Sequence, residues 1–212
     1  MRRQRILLVA LTLSVTVIAS AGAQVGTNAN LLNPNLASEA ELAAVTELGA
    51  SGAQVIVAGR PWLSMAAVHA AVGSDLSEDQ QAALYARVWL PINLNDVTDA
   101  EVLLIPGVGN RMAHEFEEYK PYAGLAEFRR EMGKYVDDDE VARLEQYVFV
   151  PLDLNSASSE AFGTIPGMGA RMVHEFEEYR PYVGIEQFRR EIGKYVDEDE
   201  VARLERYVVI GE

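Results

Sequence analysis

From Leu32 onward the chain repeats itself at a fixed interval of 60 residues, three times over, without insertion or deletion. The repeats cover residues 32–91, 92–151 and 152–211, and the second and third are identical at 35 of 60 positions. A fixed period of this length is typical of tandem supersecondary units that complete their cores by packing on one another. The sequence therefore predicts an array of similar units, and the first question about function is what one unit can bind.

Each repeat carries the start and stop signals of four short helices. In the second repeat, Thr98 and Asp137 are N-cap candidates, each with Glu three residues later. Pro106 ends the first helix, because proline disfavours helical backbone in the residue before it. Met112 and Phe116 lie four positions apart and predict one buried helix face. We therefore predict an all-α protein of three tandem four-helix units, each made of two helical hairpins.

Residues 1–23 have the features of a secretory signal peptide. Three arginines in the first five residues precede an apolar run at 6–18, and the small residues at 21–23 suit cleavage before Gln24. The run is shorter than the roughly 20 residues that cross a bilayer, so we expect no stable membrane span after cleavage. The sequence predicts a periplasmic or secreted protein with a linker at 24–31.

After removal of the signal, the chain carries 15 Lys and Arg against 32 Asp and Glu, a net charge of −17. It contains no cysteine, so an exported form would rely on its core rather than on disulfides. A field of this sign repels polyanions at long range. The charge therefore argues against nucleic acid as a partner and has to be weighed against the motif described next.

A Pro-Gly-x-Gly-x-Arg motif follows the first helix of the second repeat at residues 106–111 and returns at 166–171. The first repeat has Thr-Glu-Leu-Gly-Ala-Ser at the same place, 46–51. Together with the Leu-Asn pairs at 94–95 and 154–155, this pattern resembles helix-hairpin-helix domains. The export signal and the paired-hairpin layout are similar to the competence DNA-receptor (ComEA-like) family. The resemblance covers the second and third repeats well and the first, degenerate repeat weakly.

The resemblance implies (helix-hairpin-helix)2 units at 32–91, 92–151 and 152–212 that bind the backbone of duplex DNA without choosing a sequence. It places the phosphate contacts at Gly107, Gly109, Asn110, Arg111, Gly167, Gly169, Ala170 and Arg171. Side-chain-free N–H groups, a helix N-terminus and an arginine are groups that favour a phosphate oxygen. The alternative is that proline and glycine only shape a tight turn.

Basic residues before the second hairpin of each unit form a further candidate. Lys134 and Lys194 could supply secondary phosphate contacts, although these hairpins lack the paired glycines. The competing interpretation is that the lysines and the arginines beside them pair with neighbouring carboxylates, as on most helical surfaces.

Catalytic and metal-binding patterns are not evident. His114 and His174 each have Glu four residues later, but a metal site needs a third ligand and none is suggested. No nucleophile–base pair or nucleotide-binding loop is present in the sequence, so we expect no enzyme activity and no cofactor.

Two functions of different classes follow. One is an exported, sequence-independent DNA-binding protein acting in DNA uptake. The other is an acidic extracytoplasmic scaffold whose hairpin tips and aromatic residues Trp62, Tyr122 and Tyr182 contact another protein. On either interpretation the first repeat lacks the phosphate-binding motif and serves as a cap of the array or as a protein contact.

Overall fold

The computed structural model describes residues 31–211, and these contain twelve α-helices and two pairs of two-residue strands. The first repeat holds α1 (Glu39–Ala43), α2 (Gly49–Ala58), α3 (Met65–Val72) and α4 (Glu78–Tyr85). The second holds β1 (Ile92–Asn93), α5 (Asp99–Val102), α6 (Asn110–Glu118), α7 (Leu125–Met132), α8 (Asp138–Glu145) and β2 (Val148–Phe149). The third holds β3 (Leu152–Asp153), α9 (Ser159–Phe162), α10 (Ala170–Glu178), α11 (Ile185–Ile192), α12 (Glu198–Glu205) and β4 (Val208–Val209).

The predicted all-α class is confirmed. The signal peptide at 1–23, most of the linker at 24–31 and the final residue of the 152–212 unit lie outside the described residues. Within residues 31–211, no helix combines the length and the apolar character that crossing a bilayer requires.

Side-chain caps begin the first and last helices of the repeats where the sequence predicts them. Ser38 and Ser77 form complete capping boxes, whereas Thr98 accepts from the amide of Glu101 without the reciprocal bond. Glu101 instead accepts a 3.1 Å hydrogen bond from the amide of Ala66 in the first repeat. A residue predicted to complete a local cap therefore joins two repeats.

An asparagine near the start of each repeat fixes the turn after its second helix. The side chain of Asn95 accepts from the amide of Tyr122 at 2.7 Å and donates to the carbonyl oxygen of the same residue at 3.0 Å. Asn155 makes the same pair with Tyr182, and Asn35 makes it with Trp62. The asparagine of the Leu-Asn motif, which stands as Pro34-Asn35 in the first repeat, thus has a structural role in all three repeats.

Short parallel strand contacts join the two ends of each repeat, a feature that the sequence analysis did not predict. The pairs are Leu32 with Val88, Ile92 with Val148, and Leu152 with Val208. Because these contacts return the chain to its starting edge, one repeat can follow the next after a connection of only a few residues.

The core is continuous across the first two repeats, and a second cluster fills the third. Trp89 is fully buried and donates from Nε1 to the carbonyl oxygen of Tyr147 at 2.8 Å, which ties the first repeat to the second. Inside the second repeat, Phe116 and Phe128 meet edge to face with ring centres 5.3 Å apart, a favoured aromatic geometry.

Candidate anion-binding hairpins

Two glycines shape the loop at residues 106–111, here called the second hairpin loop, and each has its own reason. Gly107 has a φ of +80°, in the left-handed region that residues with a Cβ avoid. Gly109 has a φ of −106° and is the N-cap of α6. The first glycine is therefore required by backbone geometry, whereas the second leaves space in front of the helix. Residues 166–171, the third hairpin loop, repeat the arrangement with a φ of +77° at Gly167 and −97° at Gly169.

The space in front of α6 is open. A Cβ built on Gly109 would meet no atom within 4 Å, and no side chain caps the helix. Val108 donates its amide to Ile105, but the amides of Asn110 and Arg111 have no partner among residues 31–211. Unpaired N–H groups at the positive end of a helix dipole are available to an anionic oxygen.

The helix starts of α10 and α6 are alike in this respect. Gly169 also has open space around its Cβ position, and α10 has no side-chain cap. The predicted contact residues Ala170 and Arg171 are exposed, as are Asn110 and Arg111. Each group of four predicted phosphate contacts is thus brought together at the tip of its own loop.

An arginine that sequence analysis missed lies behind each loop. In the second repeat, Nη2 of Arg143 lies 3.5 Å from the Cβ position built on Gly107. In the third, Arg203 donates from Nη1 to the carbonyl oxygen of Pro166 at 2.6 Å. The first repeat has Ala83 at this position. The signal that could have identified these arginines is their presence in the two repeats that carry the motif and their absence from the one that lacks it.

Lys134 and Lys194, the predicted secondary contacts, are both ion-paired. Lys134 bonds to Glu131 and lies over the ring of Tyr119 at 4.7 Å, and Lys194 bonds to Glu191 in the same way. The hydrogen bond with Glu131 raises the pKa of Lys134. The neighbouring arginines are paired as well: Arg129 with Glu145, and Arg130 with Glu127 and Glu131. The charge of this cluster is directed mainly at its own carboxylates.

Glu115 does not compete with a phosphate for Arg111, as its position four residues later suggested. It is 8% exposed, its counterpart Glu175 is 7% exposed, and each has one carboxylate oxygen with no hydrogen-bond partner among the described residues. The pKa of Tyr135 is raised by hydrogen bonds with Tyr119 and Glu115, so this carboxylate faces a pair of phenols.

His114 and His174 lie on exposed helix faces. Nε2 of His114 is 3.9 Å from Glu118, and Nε2 of His174 is 3.5 Å from Glu178. Across residues 31–211 no group of three His, Asp or Glu side chains is arranged to hold a metal ion.

Comparison with protein-family models, with curated proteins and with solved structures found no match to this chain. The resemblance to helix-hairpin-helix domains thus stays a prediction from sequence. The interpretation of the two hairpin loops as anion-binding sites therefore depends on their geometry.

Proposed function

We propose that the chain consists of three helix-hairpin-helix units, exported behind a cleaved signal peptide, and that it binds the phosphate backbone of duplex DNA through its Pro-Gly-x-Gly loops. The observation that supports this most is the contrast between helix starts. α5, α8, α9 and α12 are capped by the side chains of Thr, Asp and Ser. α6 and α10 begin with an uncapped glycine, and their first turns hold no acidic residue. α7 and α11 also begin with an uncapped glycine, but each has a glutamate in its first turn, which repels an anion.

A helix start without a side-chain cap leaves backbone amides that can donate to a phosphate. The amides at the tip donate to a phosphate oxygen, and Arg111 adds a charged hydrogen bond. Such contacts read no base edge, so they give affinity without sequence choice. The resemblance to competence receptors makes DNA uptake the process that we propose for an exported protein of this kind.

The acidic charge sets the expected strength of binding. The net charge of −17 repels the duplex as a whole, and the cluster around Lys134 is neutralised by its own carboxylates. Binding is then weak, depends on a few local phosphate contacts, and falls as salt rises.

The direct test is DNA binding by residues 24–212 and by the double variant Gly109→Asp/Gly169→Asp. Both positions have negative φ and open surroundings, so aspartate fits while its charge repels phosphate. At about 20 mM salt we expect the variant to bind a fluorescent duplex at least tenfold more weakly, with an unchanged circular dichroism spectrum. Equal affinity of the two proteins would remove the loops from the proposal.

The acidic scaffold is the second candidate, and the net charge favours it. Its aromatic contacts need revision, because Tyr122 and Tyr182 are each 2% exposed and Trp62 donates from Nε1 to the carbonyl oxygen of Ile56. The rings of Tyr122 and Tyr182 belong to the core, and of the three only Trp62, which is half-buried, keeps surface for a protein contact. A folded protein that leaves duplex DNA unbound at about 20 mM salt would favour the scaffold.

A further inference from the structure

The two hairpin loops have the same sequence pattern but different surroundings. A Cβ built on Gly167 would lie 3.0 Å from Cδ2 and 3.3 Å from Cδ1 of Leu36, a residue of the first repeat. At Gly107 the nearest group is Arg143 of the same repeat, at 3.5 Å. An apolar side chain from 131 positions earlier in the chain therefore lies beside Gly167, although Gly169 of the same loop stays open, and the second loop has no such neighbour among the described residues.

The arginines behind the loops differ in the same way. Arg203 keeps only 5% of its side chain exposed, and it bonds to Pro166 as well as to Glu200. Arg143 keeps 32% exposed and bonds to Glu140 as Arg203 bonds to Glu200. Arg171 lies over the ring of Tyr195, 5.7 Å from its centre, and stays exposed. The third loop therefore differs from the second mainly in the deeper burial of the arginine behind it.

Two residues at the contact between the first and third repeats, Leu36 and Arg206, have no equivalent in the second repeat. The position of Leu36 is Asp96 in the second repeat and Ser156 in the third, so only the first repeat places an apolar side chain there. Arg206, which donates to Leu63 of the first repeat, has Gln146 as its counterpart in the second. Leu36 and Arg206 thus differ from their counterparts in the second repeat. Both differences lie at the surface where the first and third repeats meet.

Charge complementarity extends the same contact. A cleft of about 200 Å³ separates the first repeat from the start of α12. Arg60 lines it on one side, and Asp197, Asp199 and Glu200 line it on the other. The acidic first turn of α12 thus faces a cation of the first repeat, which favours their association.

We propose that the first repeat is an intramolecular partner of the third hairpin loop, where Leu36 lies against Gly167 (the covering contact) and hinders the approach of a duplex, and that the second hairpin loop is the stronger ligand site. The covering contact stands on its own. The ranking of the two loops as ligand sites depends on the proposed DNA binding. One chain then contacts a duplex mainly through the second loop.

The covering contact can be tested without DNA. Leu36→Ser removes the apolar cover at a position that is 44% exposed, and Val55→Ser in α2 is a matched control at 42% exposure. In amide NMR spectra of the chain, we expect Leu36→Ser to move the resonances of Gly167 and Met168 while those of the second loop stay in place. Val55→Ser is expected to move neither set. Unmoved Gly167 resonances in Leu36→Ser would overturn the proposal.

The ligand assignment is tested by comparing single aspartate variants. We expect Gly109→Asp to lower the affinity for a 20-base-pair duplex at least fivefold more than Gly169→Asp does. Equal losses would show that both loops bind and would overturn the assignment. If the wild-type chain binds no DNA but the NMR result is as expected, the proposed function fails and the covering contact stands.

Discussion

Nε of Arg206 donates a 2.8 Å hydrogen bond to the carbonyl oxygen of Leu63, a residue 143 positions earlier in the chain. Nη2 of the same guanidinium donates to the carbonyl oxygen of Pro91, also at 2.8 Å. The group lies over the rings of Phe149 and Tyr207, at 5.6 and 5.2 Å from their centres. Burial lowers the pKa of Arg206, yet an arginine stays charged in proteins. A half-buried cation held by carbonyls and aromatic faces thus joins the third repeat to the first.

Replacing Arg206 by methionine should destabilise the protein, because it leaves two carbonyl oxygens without their charged donor. Hydrogen bonds to charged groups contribute about 1.5–3 kcal/mol each. Because the bond to Leu63 is exposed and contributes less, we expect a loss of about 2–5 kcal/mol in the free energy of unfolding. Urea denaturation followed by circular dichroism measures it. Arg87→Met, at an exposed position of the first repeat, is the control and should change stability by less than about 0.5 kcal/mol. Similar losses in the two variants would show that the Arg206 contacts contribute little.

Alanine substitutions in the loops should rank by backbone geometry. Gly107→Ala places a Cβ at positive φ and should cost about 1–2 kcal/mol. Gly167→Ala adds the close approach to Leu36 and should cost more, whereas Gly109→Ala, at negative φ in open space, should be neutral or slightly stabilising. Unfolding free energies of the three variants test the order. A larger loss at Gly109 than at Gly107 would contradict the loop geometry described above.

The phenol of Tyr85 should lose its proton at a higher pH than an ordinary tyrosine does. Its hydroxyl lies 2.5 Å from Nδ1 of His69, and burial raises the pKa of this phenol to about 12. Because the folded state favours the neutral phenol, its contribution to stability is fully present below the ordinary pKa of about 10 and is lost as the pH rises towards 12. Wild-type protein should therefore lose more thermal stability between pH 9 and 11 than Tyr85→Phe loses. The difference in absorbance at 295 nm between the two proteins should have its midpoint near pH 12, and a midpoint at 10 would rule out the raised pKa.

The Glu131 carboxylate should make the folded state less stable at low pH. Hydrogen bonds from Lys134 and Arg130 hold the pKa of this carboxyl below its ordinary value. A carboxyl with a lowered pKa stabilises the fold above its unfolded-state pKa, near 4.3, and this contribution is lost as the pH falls below that value. Between pH 6 and 3, the melting temperature of wild type should fall further than that of Glu131→Gln. Parallel curves for the two proteins would contradict the predicted linkage.

Local features of the fold could be predicted from the sequence, because they depend on residues close together in the chain. Thr98 and Asp137 cap the helices that their spacing indicates, and Ser38 and Ser77 do so at the same positions of the first repeat. α5 ends at Val102, earlier than the helix end predicted from Pro106. The starts of α6 and α10 at Gly109 and Gly169, which no side chain caps, are local features of the same kind. The two-residue strands were missed because they are too short to show a period.

Features that depend on distant residues could not be predicted. A helical period places Glu115 and Arg111 on neighbouring turns, but only the packing of α6 against the rest of its repeat decides that Glu115 is buried. Leu36 meets Gly167 because the first and third repeats, which the second separates in sequence, are adjacent in space. The motif therefore predicted two equivalent loops, and the tertiary contacts make them different.

The salt dependence of DNA binding should reveal how many loops engage. The logarithm of the binding constant falls with the logarithm of salt concentration by about 0.9 per neutralised phosphate. One loop that neutralises about two phosphates, through Arg111 and the positive end of α6, should give a slope near −2, about a tenfold loss of affinity between 50 and 200 mM salt. Arg111→Ala should reduce that slope by about one, and Arg171→Ala should reduce it less, because Arg171 lies against Tyr195. A slope near −4 that both variants reduce equally would mean that the third loop binds as well, and a slope of zero would mean that phosphates are not the ligand.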